Sequence, residues 1–223
     1  MKDTNDTSTI DHESGTTGAE DAAAAAETAV TGRRFAGSKT PDAVRQKWRT
    51  PGWLFNYANQ TWGPFVRDVA AEKANALCAE YIDEQQDALN VNTDWGKKGD
   101  VVWCNPPYAD PLPWVKAAAR NAKQNGVTTV MLLNHDHSPE WFYELINVAS
   151  EVVNIIGYHG TDDKGKAKFF NGRVAFVNAA NGSEVSKNSK ASALFVIRPR
   201  KAGGVKTEYI TQQQMRDAVA SVF

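Results

Sequence analysis

Apolar positions along residues 41–223 follow two periods. Short, mostly apolar runs occur at Val101–Cys104, Val127–Leu133, Glu151–Ile156, Arg173–Val177 and Ala193–Ile197, rich in β-branched and aromatic side chains. Runs of this length bounded by turn residues predict buried strands. Pro64–Ala71 predicts a further short strand that stops at Asp68 and leads into small residues. Between the runs the spacing is helical. A helix start is expected at Thr40-Pro41 and another at Thr50-Pro51, where Trp53, Leu54 and Tyr57 share a face. Helices are also expected over Glu72–Tyr81, from Asp110-Pro111 to about Gln124 with Gly126 as C-cap, from Ser138-Pro139-Glu140 to Val148, and over Gln212–Val222. Strand and helix alternate as far as Ile156, which predicts an α/β fold with a mainly parallel sheet and helices on both faces. Beyond it, Arg173–Val177 and Ala193–Ile197 are expected to pair as a C-terminal antiparallel hairpin, with Asn178–Ser192 as its loop.

Residues 1–40 break this pattern. They are acidic and Ala-rich with almost no large apolar side chain, so burial cannot offset their ordering entropy, and a disordered tail is expected. The folded domain is expected to be 41–223. The tail carries seven acids and four bases, whereas the remainder carries nineteen acids and twenty-one bases. From Gly157 to Lys206 there are ten Lys or Arg against three acids, a local excess that points to a polyanion contact. Lys164, Lys166 and Lys168 alternate along a stretch that, if extended, projects them to one side. Neighbouring glycines suggest a mobile loop there. With Arg173, Lys187 and Lys190 these lysines are the candidate polyanion contacts. Cys78 and Cys104 form no disulfide framework and no zinc spacing. His135 and His137 lack a third ligand at supporting spacing, so no metal is expected. No signal-peptide pattern and no membrane-length apolar run occurs, and a cytoplasmic location is expected.

Chemistry concentrates where the central run stops. Asn105-Pro106-Pro107-Tyr108 follows Val101–Cys104 directly, at the carboxyl end of a predicted strand, the edge at which open α/β sheets bind ligands. The two prolines end the strand because neither can donate to a ladder. The Asn105 side-chain oxygen and the Pro106 carbonyl are two acceptors on one stiffened turn. An exocyclic amine donating both N–H groups to them has its lone pair turned out of ring conjugation and becomes a better nucleophile. Tyr108 offers a stacking ring, worth roughly 1–3 kcal/mol against a base. Asp68, at the end of an earlier strand and followed by Val69 and Ala70, is placed to meet a polar cofactor group. The G-x-G-x-x-G fingerprint is missing, which disfavours a dinucleotide. Asp87 is a candidate acceptor for an adenine amine, and Thr50-Pro51 a candidate pocket wall.

The tetrad resembles the catalytic motif of amino-methyltransferases that use S-adenosylmethionine. Joined in order by Thr50-Pro51-x-Trp53-Leu54-Phe55, by Phe65-x-x-Asp68-Val69-Ala70-Ala71 and by Asn171-Gly172-Arg173-x-x-Phe176, it resembles the phage-type DNA N-6-adenine methyltransferase (Dam-like) family from about Thr50 to Pro199. Arg67 stands where that family usually carries an apolar residue. The resemblance implies a Rossmann-like, S-adenosylmethionine-dependent methyltransferase fold. It implies cofactor contacts near Thr50-Pro51, Asp68 and Asn105, and catalysis by Asn105 to Tyr108. The expected activity is site-specific methylation of the N6 of a flipped-out adenine in double-stranded DNA, by a monomer or weak dimer in a bacterial host cell, for phage or prophage DNA modification. Methylation of RNA or of protein glutamine, and a non-catalytic DNA-binding module with a degenerate cofactor fold, are the competing expectations.

Overall fold

Val101–Cys104 lies near the middle of the sheet, and Val102, Trp103 and Cys104 are fully buried. The computed structural model describes residues 48–178, 182–185, 190–200 and 203–221. The expected tail at 1–40, the helix start at Thr40-Pro41 and Lys187 lie outside the described residues. In chain order the elements are β1 (Trp48–Arg49), α1 (Gly52–Trp62), β2 (Phe65–Asp68), β3 (Glu80–Tyr81), β4 (Val101–Cys104), α2 (Leu112–Asn125), β5 (Thr128–Asn134), α3 (Glu140–Val148), β6 (Glu151–Ile156), β7 (Tyr158–Thr161), β8 (Ala167–Phe170), β9 (Phe176–Asn178), β10 (Glu184–Val185), β11 (Ser192–Ile197), β12 (Lys206–Thr211) and α4 (Gln212–Ala220).

The main sheet runs β12-β6-β11-β5-β4-β2-β3. All neighbours in it pair parallel except at β11, which is antiparallel to both β5 and β6. The mainly parallel sheet is therefore as expected. Side chains alternate across it with the period of a strand. Val102, Cys104, Met131, Leu133, Val152, Ala193, Phe195 and Ile197 face one way, onto Val115 and Ala118 of α2 and Leu145 of α3. Trp103, Val130, Leu132, Val153, Leu194 and Val196 face the other, onto Leu54 and Ala58 of α1 and Met215 of α4. A helical layer on each face follows from strands that are apolar on both sides.

Several expectations fail here, each for a local reason. The strand expected at Arg173–Val177 does not pair with Ala193–Ile197. Its ordered part, β9, forms a hairpin with β10 and also pairs antiparallel with β1. Ser192–Ile197 instead enters the main sheet, with all six residues buried. Full burial of a Leu, Phe, Val or Ile stabilises by roughly 1.5–3 kcal/mol, and only a central strand buries both faces of such a run.

Glu72–Tyr81 contains no helix. Asn75 Oδ1 accepts from Glu72 N–H at 2.6 Å, and Leu77 N–H donates to Asp68 Oδ2 at 3.2 Å. The Asp68 carboxylate thereby takes the Leu77 amide, which a helix would need for its own ladder. Neither Thr50 nor Asp110 caps a helix; the N-cap positions are Pro51 and Pro111, without a side-chain hydrogen bond. Among the described residues a capping box forms at Thr211 with Gln214, opening α4 directly from β12, a strand that sequence patterning did not reveal. Gly126 closes α2 as expected, at φ 70°, with its N–H on Asn121 O.

Arg67 fits because the β2–β4 ladder bulges between Phe65 and Arg67. Its guanidinium donates to the carbonyls of Asp94 and Trp95, at 3.1 and 3.3 Å. Trp95 is itself fully buried, its indole N–H on Ala88 O at 2.9 Å and its backbone N–H on Asn121 Oδ1 at 3.0 Å. Asn121 thereby ties α2 to the segment that feeds β4. Replacing Asn121 with Ala is expected to destabilise the protein by about 1–3 kcal/mol, because the buried Trp95 amide loses its acceptor. Urea unfolding measures this, and an unchanged midpoint would remove the role assigned to that side chain.

Candidate active site

Asn105 begins where β4 ends, and the ladder holds it there. Val69 N–H donates to Trp103 O at 2.9 Å, and Asp68 and Trp103 are in register across β2 and β4. Parallel pairing puts the carboxyl ends of both strands at one sheet edge, which brings Asp68 and the Asn105 loop together. Pro106 is buried and Pro107 exposed.

The loop carries two unpartnered polar atoms. Asn105 Oδ1 and the Tyr108 hydroxyl are both buried without a hydrogen-bond partner. The Tyr108 ring is partly exposed, while burial of its hydroxyl, with Cys104 beside it, pushes the phenol above its ordinary range. Leaving such an atom unpaired costs about 1–3 kcal/mol, and a fold carries that cost most readily where a ligand completes the pairing.

Tyr108 does not stand free. Its ring meets Phe176 edge to face at 5.8 Å. Sequence reasoning placed Phe176 in a motif but assigned it no contact, since nothing in the spacing reveals a partner 68 positions away. Phe176 opens β9, and Val177 of that strand pairs with Arg49 of β1. Thr50 follows Arg49, is 4% exposed, and has its hydroxyl buried without a partner. Arg49, the residue before Thr50, and Tyr108 thus meet neighbouring residues of the same short strand, Val177 and Phe176.

Asp68 is 3% exposed. Its carboxylate accepts from Leu77 N–H at 3.2 Å and Ala70 N–H at 3.4 Å. Burial raises its pKa to about 6 in spite of those two bonds. Burial, with the same carboxylate nearby, pushes the Cys78 thiol up to about 12. Val69 is fully buried and Ala70 partly so. A buried carboxyl with a raised pKa at a sheet edge suits a ligand that brings a cation or a hydroxyl donor.

The remaining candidates are more dispersed. Asp87 is exposed at φ 50°, and its carboxylate accepts from Leu89 N–H at 3.0 Å, which holds its own turn. His135 and His137 meet edge to face at 4.3 Å, and His137 meets Phe142 edge to face at 4.9 Å. Burial and His137 lower the pKa of His135. Among the described residues no cluster of three or more His, Cys, Asp or Glu is placed to hold a metal.

The lysine stretch is a hairpin rather than the loop expected. β7 and β8 pair antiparallel, and Asp162 Oδ1 accepts from the N–H groups of Lys164 and Lys166, at 3.0 and 2.9 Å. Gly165 takes φ 76° at the tip. Lys164 therefore sits in the turn and is not in alternation with Lys168. All three lysines are exposed, and Lys168 Nζ lies 5.2 Å from the Phe170 ring centroid. Arg173 is exposed at the return to the core, and Lys190 contacts Asp136 at 3.2 Å.

What the edge assembles is an unpaired amide acceptor, an aromatic ring, and a buried carboxyl one strand away. Such a set accepts hydrogen bonds from a planar, amine-bearing ligand. A family model described as DNA N-6-adenine-methyltransferase (Dam) matches residues 37–221, and the chain belongs to that family. It is 35% identical over 182 residues to a DNA N-6-adenine-methyltransferase of Escherichia phage T1, covering 81% of this chain and 75% of the relative. It is 32% identical over 182 residues to the DNA N-6-adenine-methyltransferase of Haemophilus phage HP1 (strain HP1c1), covering 81% and 95%. A shorter stretch of 75 residues is 36% identical to the putative methyltransferase YfdM of Escherichia coli (strain K12). No described helix is long and apolar enough to cross a membrane.

Asp68 gives the site a pH signature. Its pKa in the folded protein lies above the ordinary carboxylate value, so its stabilising contribution is present below about pH 4 and lost as pH rises through about 6. Two pKa units correspond to roughly 3 kcal/mol. The difference in unfolding free energy between the wild type and Asp68→Asn is therefore expected to fall by about that amount from pH 4 to pH 7. Urea titrations across that range measure it. A flat difference would mean that the carboxyl is not held in a desolvated site.

Proposed function

We propose that the protein methylates the N6 amine of adenine in DNA, with S-adenosylmethionine as methyl donor, at the loop Asn105–Tyr108. The observation that carries this is the buried, unpartnered Asn105 Oδ1 at the end of the central strand, in a chain of the DNA N-6-adenine-methyltransferase family. The alternation of strands and helices, with one antiparallel strand in a parallel sheet, supports a Rossmann-like methyltransferase fold.

S-adenosylmethionine, when bound, supplies an electrophilic methyl on sulfur. The residues that suit it are Thr50, Pro51, Asp68, Val69 and Ala70, with Asn105 beside them. The unpartnered Thr50 hydroxyl and the buried Asp68 carboxyl are the two observations that fit a polar ligand there. Asp87 belongs to this set through its second carboxylate oxygen, since Oδ1 already serves the Leu89 amide.

The reacting adenine must leave the duplex stack, because its amine is inaccessible inside it. Asn105 Oδ1 and the Pro106 carbonyl then accept its two N–H groups. Those acceptors hold the nitrogen lone pair out of the ring and stabilise positive charge as it develops on N6. Tyr108 stacks on the base and is itself held by Phe176, so the acceptors and the ring act on one fixed geometry. No covalent intermediate on the protein is needed. The exposed lysines of the β7–β8 hairpin and Arg173 engage phosphates, which position the duplex without reading its sequence.

Incubation with labelled S-adenosylmethionine and unmodified DNA, followed by nucleoside mass spectrometry, should yield N6-methyladenine as the labelled product. Label in RNA or in protein glutamine, with none in DNA, would overturn the assignment. Asn105→Ala is expected to lose turnover almost entirely while S-adenosylmethionine affinity changes by less than about tenfold, or about 1.4 kcal/mol. Retention of more than a few per cent of turnover would remove Asn105 from the mechanism.

Replacing Lys164, Lys166 and Lys168 together by Ala is expected to weaken binding to all duplexes alike. The log–log salt dependence should become shallower by up to about 0.9 for each phosphate that is no longer neutralised. Affinity and slope matching the wild type would show those lysines to be only solvated surface.

A further inference from the structure

The β7–β8 hairpin presents more than charge. Phe169 is 56% exposed, unusual for a phenylalanine in an ordered strand. Strand periodicity divides the hairpin into two faces. Tyr158 and Phe170 stack on one face at 5.1 Å with 11° between their planes, and Lys168 lies over Phe170 on that side. Phe169 is on the other face, edge to face with His159 at 5.1 Å. The Phe169 ring has a seat: a Cβ on Gly157 would come within 2.5 Å of Phe169 Cζ. The ring is thus oriented, with one side open.

Placement brings this ring toward the reacting base. β7 follows β6 after one residue, at the carboxyl end of a strand parallel to β4 in the sheet, and so at the edge that carries Asn105. The return path is also anchored. A Cβ on Gly172 would collide with the Ile155 carbonyl, so the backbone lies directly on β6. Four residues later Phe176 touches Tyr108. The six steps from Phe170 to Phe176 span at most about 20 Å fully extended. One turn of B-DNA is about 34 Å, so a single duplex turn reaches both the hairpin and the loop.

We propose that Phe169 enters the duplex beside the target and stacks in the gap that the extruded adenine leaves, with the hairpin lysines on the flanking phosphates. This rests on the adenine-methylation reading above. Extrusion costs base stacking, and an inserted apolar ring recovers part of it. The hairpin also holds Asp162 and Asp163. Asp162 is half-buried with its Oδ1 on the turn amides of Lys164 and Lys166, so the exposed charges of the hairpin are three lysines and Asp163. The occupant is therefore duplex DNA, whose stacked bases match an open aromatic ring and whose phosphates match the lysines at the hairpin tip and on its other face.

The test uses a duplex whose methylated adenine has been mapped, with 2-aminopurine at that position to report extrusion by its fluorescence. Wild-type protein should raise the emission, and Phe169→Ala should lose most of that rise. Phe169→Ala should also lower kcat/KM for methylation of the same duplex carrying adenine by about tenfold or more, the range that base–aromatic stacking spans. On a duplex with an abasic site opposite the target, extrusion is already cheap, and the variant should come within about threefold of wild type. Phe169→Trp should keep both the emission and the rate. Wild-type emission and rate in Phe169→Ala would overturn the proposal. Equal losses on the intact and abasic duplexes would do so too, since a merely structural defect ignores the opposing base. Absence of wild-type methylation on any DNA would instead overturn the function on which the proposal rests, and that outcome is read from the wild type alone.

Discussion

Everything at the active edge depends on β4 being buried on both faces and then forbidden to continue. Val102 and Cys104 face one helical layer and Trp103 the other. The Val69 amide holds the last part of the strand through the Trp103 carbonyl. Two prolines follow, which can neither extend the ladder nor relax into a helix. Asn105 therefore has its backbone fixed by the sheet on one side and by Pro106 on the other. An acceptor oxygen left unpaired inside a protein is stable only under such constraint, because a mobile loop would turn it to water.

The same logic explains Asp68. It ends the neighbouring strand, and its carboxylate is drawn under the sheet edge by the amides of Leu77 and Ala70. Two neutral donors do not offset burial, so the group titrates near neutrality. Together the strand ends offer one neutral acceptor and one acid of variable charge, at positions set by backbone pairing rather than by flexible side chains. Such sites are more exact than those built on long loops.

Much of this was legible in the sequence. The central strand, its proline stop, the helices after Tyr108 and Ser138, and the Gly126 cap follow from local periodicity and backbone chemistry. The family resemblance rested on four short motifs in order, and the family match covers them. What local pattern could not supply was pairing. Ala193–Ile197 and Arg173–Val177 both read as strands, and neither run names its neighbour. The uninterrupted apolar character of Ala193–Ile197 was the available signal, since a run without alternation suits a strand buried on both sides. Phe176 meets Tyr108, and Asn121 meets Trp95, only because the sheet and α2 bring distant segments together. The Glu72–Tyr81 helix failed because Asp68 captured the Leu77 amide that propensity alone would have left to a helix.

The late position of β11 has a consequence for synthesis. β5 and β6 are complete once residue 156 has emerged, yet they do not touch each other in the finished sheet. The strand that joins them is Ser192–Ile197. Until then a nascent chain holds the β5-β4-β2-β3 part of the sheet and an unpaired β6, because β12 follows β11, and both present open edges of unpaired amides and carbonyls, the surface that invites pairing with other chains. The intervening residues carry the lysine hairpin and the strand that seats Tyr108, so the parts proposed to meet DNA leave the ribosome before the core is joined. The sheet is joined only once Ile197 has been made, and a chain cut short of that point leaves an open-edged fragment instead of a smaller enzyme.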